Sequence, residues 1–273
     1  MVAVEVNCKK ATEVNVVVLE YHDVVREGAW DESGFPGAAA ATYKMSIARF
    51  EEHLRALDDS GHAILTHLAG ATLPDGRLPV MLTFDDGGSG YMTAADLLEQ
   101  HGWRGCLFMT TSCIGKQGFL NAGQIRALHQ RGHVIGTHSR NHPVRLSALP
   151  QPAILDEWRT SVEDLQDVLG AAVRVGSVPG GYHSLAVAES AAAAGLTTLF
   201  TSEPESKVTW IDGCAVVGRY TLRRDHHGAY AARLVGAVPT ARAAQWLQWN
   251  AKKLVKTIGG SVYLRVRDRI LGR

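Results

Sequence analysis

Six short runs of apolar, largely β-branched residues recur along the chain, and a stretch with helical spacing follows most of them. The runs are Asn15–Leu19 (NVVVL), Val80–Phe84 (VMLTF), Cys106–Thr110, His133–Thr137, one near 173–178, and Thr197–Thr201. Runs of this length without polar alternation read as strands buried on both faces. The helical stretches fall after Ser46, with Phe50, Leu54 and Leu57 on one face and Gly61 as a stop, then over about 89–100, 121–130, 153–168 and 184–194. Strands alternating with helices require a parallel sheet, and about seven such units in 273 residues favour a sheet closed into a barrel. The expected fold is α/β, a single barrel domain over 1–240. A helical segment, 241–273, packs on it.

Composition narrows the function. With 46% hydrophobic residues the chain can bury a large core, and a net charge of +1 gives no basic excess of the kind nucleic-acid binders carry. Cys8, Cys106, Cys113 and Cys214 form no CxxC pair, and Cys106 and Cys113 flank an apolar run, which makes them core residues. Met1–Glu13 lacks the pattern of a signal peptide, and no run of 18 apolar residues occurs, so a cytoplasmic location is expected. The segment over about 240–270 carries Trp246, Trp249 and Leu254 at helical spacing. It also clusters Lys252, Lys253, Lys256, Arg265, Arg267, Arg269 and Arg273 against Asp268 alone. It reads first as a solvated helix on the barrel's outside; peripheral contact with anionic lipid head groups is the sharper reading.

Polar residues gather just past the strand ends, where parallel α/β folds build their sites. Asp85 and Asp86 follow VMLTF, His138 and His142 follow HVIGT, Ser177–Gly181 (SVPGG) follow the 173–178 run, and His22 and Asp23 follow NVVVL. Two histidines four apart share a face in a helical turn, so both reach one metal ion. Asp86 completes a His₂Asp set with open positions for water and substrate. Adjacent carboxylates at a strand end point apart, which leaves Asp85 free as a general base. Gly87 and Gly88 allow a sharp turn and leave room for a substrate.

Thr83-Phe84-Asp85-Asp86-Gly87 and His138-Ser139-Arg140-Asn141-His142 resemble the TFDDG and HSxxH motifs of the polysaccharide deacetylase (NodB-homology) family, over about Leu19 to Glu203. The resemblance implies a distorted (β/α)7-type barrel and hydrolysis of N-acetyl groups on amino sugars. It also implies a divalent metal, zinc first, with Co²⁺, Ni²⁺ or Mn²⁺ as alternatives. By it, Asp85 is the base and Asp86, His138 and His142 are the ligands. The family's RxPYG motif is partial here: Ser177 stands at the Arg that orients the base, with Arg219 or Arg159 as replacements, and Gly180 stands at the Tyr whose backbone N–H serves the oxyanion. Tyr21-His22-Asp23 is similar to the motif of permuted poly-N-acetylglucosamine deacetylases, in which the His is the general acid; His226 and His227 read as a solvated loop.

Tyr182, His183 and Glu203 are candidate substrate contacts, with a helix-start role as the alternative for His183. Glu157 has a surface or packing role. Two other readings stand beside a carbohydrate N-deacetylase: a metal amidohydrolase acting on a non-sugar amide, of deformylase or imidase type, and a non-catalytic carbohydrate-binding relative.

Overall fold

The apolar runs become parallel strands in the computed structural model, which describes residues 14–68, 77–181 and 183–251. They are β1 (Val17–Tyr21), β2 (Val80–Phe84), β3 (Cys106–Met109), β4 (Val134–Thr137), β5 (Val175–Ser177) and β6 (Thr198–Phe200). Each pairs in parallel with the next in this order. β7 (Cys214–Val217) adds in parallel to β6, and β8 (Tyr220–Thr221) adds in parallel to β1 at the opposite edge. Gly218 and Arg219 alone separate β7 from β8, so one segment ties both edges together and closes the seventh stave of an α/β barrel. Thr209–Ile211 forms an antiparallel hairpin with β7.

The helices are α1 (Ile47–Asp59), α2 (Tyr91–Gln100), α3 (Ala122–Gln130), α4 (Gln151–Leu169), α5 (Leu185–Ala193) and α6 (Gly228–Val235). Their starts follow capping chemistry: Ser46 accepts from Arg49 N at 3.3 Å, Asn121 and Gln124 form a reciprocal capping box, and Ser184 accepts from Val187 N at 3.3 Å. Gly170 ends α4 in the left-handed conformation (φ 65°). Phe50, Leu54 and Leu57 are buried on the inner face of α1, each contributing about 1.5–3 kcal/mol of hydrophobic stabilisation.

The two-residue period of the strands divides the core. Val17, Leu19, Tyr21, Leu82 and Phe84 belong to the layer beneath the helices, while Val16, Val18, Met81, Cys106, Phe108, Phe200, Ala215 and Val217 form a separate cluster inside the barrel. Continued toward the C-terminal ends, this inner register adds Glu20, Asp85, Thr110, His138, Ser177 and Arg219, all buried. A polar layer therefore sits on an apolar floor.

β1 runs two residues further than the expected strand, taking in Glu20 and Tyr21, because the inward Glu20 meets a buried partner. Cys106, Cys113 and Cys214 are buried core residues. The final helix is described over 240–251. Gln245 Nε2 donates to Thr221 O and Tyr230 Oη at 3.0 Å, and the Trp249 ring lies beside Gly181, so this helix packs at the strand-end rim. Cys8, Tyr182, Leu254 and the bases from Lys252 onward lie outside the described residues. Among the described residues no helix is long and apolar enough to cross a membrane.

Candidate metal and acid–base centre

Asp86, His138 and His142 bring one ligand atom each to within 4.8 Å of one another. His138 Nε2 lies 3.5 Å from Asp86 Oδ1, and His142 Nε2 lies 3.4 Å from the same oxygen. The route to this meeting differs from a helical turn. Residues 138–142 form an irregular loop in which Ser139 (φ 62°) and His142 (φ 51°) are left-handed. Asp86 is left-handed as well (φ 73°), which returns its carboxylate to the side that simple strand alternation would deny it. Non-glycine residues in this region cost of order 1 kcal/mol or more each and persist where surrounding bonds fix them. Those bonds are present: His142 N donates to Ser139 Oγ at 3.1 Å, and Asn141 donates through N (2.9 Å) and Nδ2 (2.6 Å) to Glu157. Glu157, expected to have a surface or packing role, thus bolts the ligand loop to α4.

The donor set fits a divalent cation. His138 Nδ1 bonds the Ser177 carbonyl at 3.0 Å, so the proton sits there and the Nε2 lone pair faces Asp86. Burial pushes the His138 imidazole down to about 4, keeping it neutral. Burial also opposes the charged form of His142, but its bond to Asp86 outweighs this and moves it up.

Asp85 is treated differently from its neighbour. Arg219 binds it with both arms, Nη1 to Oδ1 at 2.7 Å and Nη2 to Oδ2 at 2.8 Å, and Ser177 Oγ adds a 3.2 Å bond. Burial raises the Asp85 carboxyl, but the Arg219 guanidinium holds it below the ordinary carboxylate range. Arg219 is fully buried and also bonds Glu20 Oε1 (2.9 Å), Ser177 Oγ (2.8 Å), Thr83 Oγ1 (3.3 Å) and Thr201 O (3.1 Å). Of the two candidate replacements, it is Arg219 that meets Asp85; Arg159 is exposed on α4. The signal was available, because Ala215, Val217 and Arg219 share the inward register of CAVVGR.

His22 follows β1 and stacks on Tyr43 at 5.0 Å. Glu20, His22 and Asp85 also converge within 4.8 Å. Arg219 already spans the two carboxylates, so this second set is a poor cation site and a good proton-transfer group. His22 Nδ1 is buried with no hydrogen-bond partner among the described residues. Asp23 faces away from that set: it accepts from Ser33 Oγ at 2.7 Å, and burial raises its carboxyl to about 6. The room at Gly88, expected for substrate, belongs to Asp23: an added Cβ would stand 2.0 Å from its Oδ1.

Gly180 is exposed at the rim with φ 64°, a conformation that accounts for glycine where the family has Tyr. His183 is half-buried just before the α5 cap, Ser184. The Glu203 carbonyl accepts the Arg219 N–H at 2.9 Å, so this residue supports Arg219 through its backbone. His227 is exposed, while His226 is half-buried and its carbonyl bonds His53 Nε2 at 2.8 Å.

The polysaccharide deacetylase family model matches residues 73–199, the stretch that carries Asp85, Asp86, His138, His142 and Pro179. Over residues 73–199 the chain is similar to the polysaccharide deacetylase family. The Bacillus subtilis protein YxkH, whose name places it among polysaccharide deacetylases, is 27% identical over 161 residues; the match spans 57% of this chain and 57% of that one. The fold is that of solved deacetylases. A Bacillus cereus polysaccharide deacetylase, BC0361, superposes with TM-score 0.69 at 20% identity, covering 82% of this chain and 70% of that one. IcaB from Ammonifex degensii gives 0.63 at 23% identity over 86% and 97%. Streptococcus pyogenes deacetylase PplD, solved with acetate, gives 0.67 at 19% over 82% and 100%. Glu20, His22, Glu203 and Arg219 lie outside the matched deacetylase stretch, on the staves that close the barrel around it.

Proposed function

We propose that this chain removes an N-acetyl group from an amino sugar, giving acetate and a free amine, with a divalent cation held by Asp86, His138 and His142. Zinc is the first choice, with Co²⁺, Ni²⁺ or Mn²⁺ as alternatives. Held there, such a cation would supply Lewis-acid polarisation of the amide carbonyl and would lower the pKa of water toward about 7. Asp85 accepts the proton of the attacking water, held in position by Arg219 and Ser177. The N–H of Gly180 donates to the oxygen that gains charge. His22 delivers a proton to the departing nitrogen, which is otherwise a very poor leaving group. Tyr182, His183 and Glu203 are proposed to line the sugar's path. The helix over 240–251 is proposed to belong to the same catalytic unit as the barrel, since Trp249 lies against Gly181.

One observation carries the reading: two carboxylates adjacent in sequence have opposite surroundings. Asp86 faces two imidazoles, whereas Asp85 is locked to a guanidinium and cannot be spared as a ligand. The test is metal analysis with acetate release from an N-acetylated chito-oligosaccharide and formate release from its N-formylated counterpart. Asp86→Ala should lose both metal and activity. Asp85→Asn should keep the metal while its rate falls by about 10²–10⁴-fold, the usual worth of a general base. Formate but no acetate from matched substrates, or an Asp85→Asn protein with most of its rate, defeats the proposal.

A further inference from the structure

Two arginines at the rim beside His22 have no part in the chemistry above. β8 pairs with β1, and Leu222 N extends the pairing to Glu20 O at 2.9 Å, so Arg223 and Arg224 emerge next to the His22 strand end. The Arg223 guanidinium lies 5.9 Å from the centroid of Tyr43, the ring stacked on His22. Arg224 lies 4.7 Å over Trp30, and its N–H donates to Thr42 O at 2.9 Å.

Both aromatic shelves are built in. Lys44, next to Tyr43, is buried and donates to the carbonyls of Trp30 (2.5 Å), Ser33 (2.5 Å) and Phe35 (2.6 Å). The loop under Arg224 is therefore pinned from within. No ion pair neutralises either arginine among the described residues. Asp31 accepts from Gly37 N, Glu32 pairs with Arg26, and the exposed Asp225 pairs with neither. A guanidinium laid on a ring keeps its N–H edge available for a bidentate acceptor. In a chain of net charge +1, two such groups beside the site are a local feature.

We propose that the substrate is anionic: a phosphate or carboxylate near the reacting amino sugar is bound by Arg223 and Arg224. The inference rests on the deacetylase reading above and adds the substrate's charge to it. The experiment compares N-acetylglucosamine 1-phosphate, an N-acetylglucosamine–glucuronate disaccharide and neutral N,N′-diacetylchitobiose. Each is assayed with the wild type and with Arg223→Gln/Arg224→Gln. At least one charged substrate should have a KM below that of the neutral one by about tenfold, the scale of a charge-assisted hydrogen bond. That ratio should collapse toward one in the double variant, and which charged substrate shows it separates phosphate from carboxylate. Equal KM values, or a preference that survives in the variant, overturn the proposal.

Calorimetric binding of the same three compounds to Asp85→Asn protein, with and without the two Gln substitutions, measures the charge preference without turnover. Arginine-dependent charge selectivity in binding without turnover anywhere in the wild type supports the inference and sinks the deacetylase reading. Acetate release without such selectivity does the reverse.

Discussion

Arg219→Met removes a fully buried guanidinium from between Asp85 and Glu20. Both carboxylates stay buried, at 3% exposure each, and lose their cation. Deleting one partner of a buried pair costs about 3–5 kcal/mol. In a domain of this size each kcal/mol moves Tm by about 2–4 °C, so the midpoint should fall by about 6–20 °C. The loss depends on pH. In the wild type Asp85 is held below the ordinary carboxylate range. It therefore contributes stability above its unfolded pKa, and that contribution disappears as pH falls through the folded value. In the variant burial acts without its counterweight and the carboxyl moves up, so the deficit should be largest at neutral pH and shrink toward acid. The same rise takes the base out of its working form, and the acid limb of kcat/KM should move to higher pH. Arg219→Lys keeps the charge but not the fork and should fall between the two. Thermal unfolding across pH, alongside the pH profile of kcat/KM, measures both effects. A midpoint within about 3 °C of wild type at neutral pH, with an unmoved acid limb, would refute the argument that this guanidinium holds the base.

His22→Ala should lower kcat by about 10²–10⁴-fold with bound metal unchanged; an unaltered kcat at the optimum pH removes His22 from the reaction. Glu157→Ala frees the loop at Asn141 and should weaken metal binding by about 10–100-fold, read by chelator competition, because support of a ligand is worth roughly that much. His53 is buried, with Nδ1 against Tyr21 Oη and Nε2 on His226 O, and burial pushes it down to about 4. Since the unfolded chain binds that proton near pH 6.5, stability should drop as pH falls from 6.5 toward 4. His53→Leu should flatten that slope by up to about 3 kcal/mol in denaturant titrations, and an unchanged slope assigns the effect elsewhere.

The strand runs and the Asp-Asp and His-x-x-x-His motifs were legible because their signals are local: apolar content, and chemically distinctive residues at strand ends. What sequence reasoning misplaced depends on contacts between distant segments. Glu20 reads as the end of a strand until Arg219, 199 positions away, neutralises it. The His138–His142 loop resembles a helical turn by spacing alone. Two left-handed residues and a bond from Asn141 to Glu157 make it something else, and neither is encoded in local propensity. Gly88 reads as room for a substrate, but the Asp23 carboxylate fills that room. Arg219 stands as one of two candidates until the two-residue period of Cys214–Val217 is read through to it, which places it inward with Ala215 and Val217.

The two-residue break between β7 and β8 has a consequence for how this protein matures. Arg219 reaches Asp85 only after the last stave has docked on β6 at one side and on β1 at the other. Until that docking the proposed ligands, Asp86 and the two histidines, stand on earlier staves while Asp85, the proposed proton acceptor, lacks its anchor. On the proposed mechanism, partly opened molecules would keep the ligand set yet lack a positioned base, and competence would arrive with the sealing of the wall.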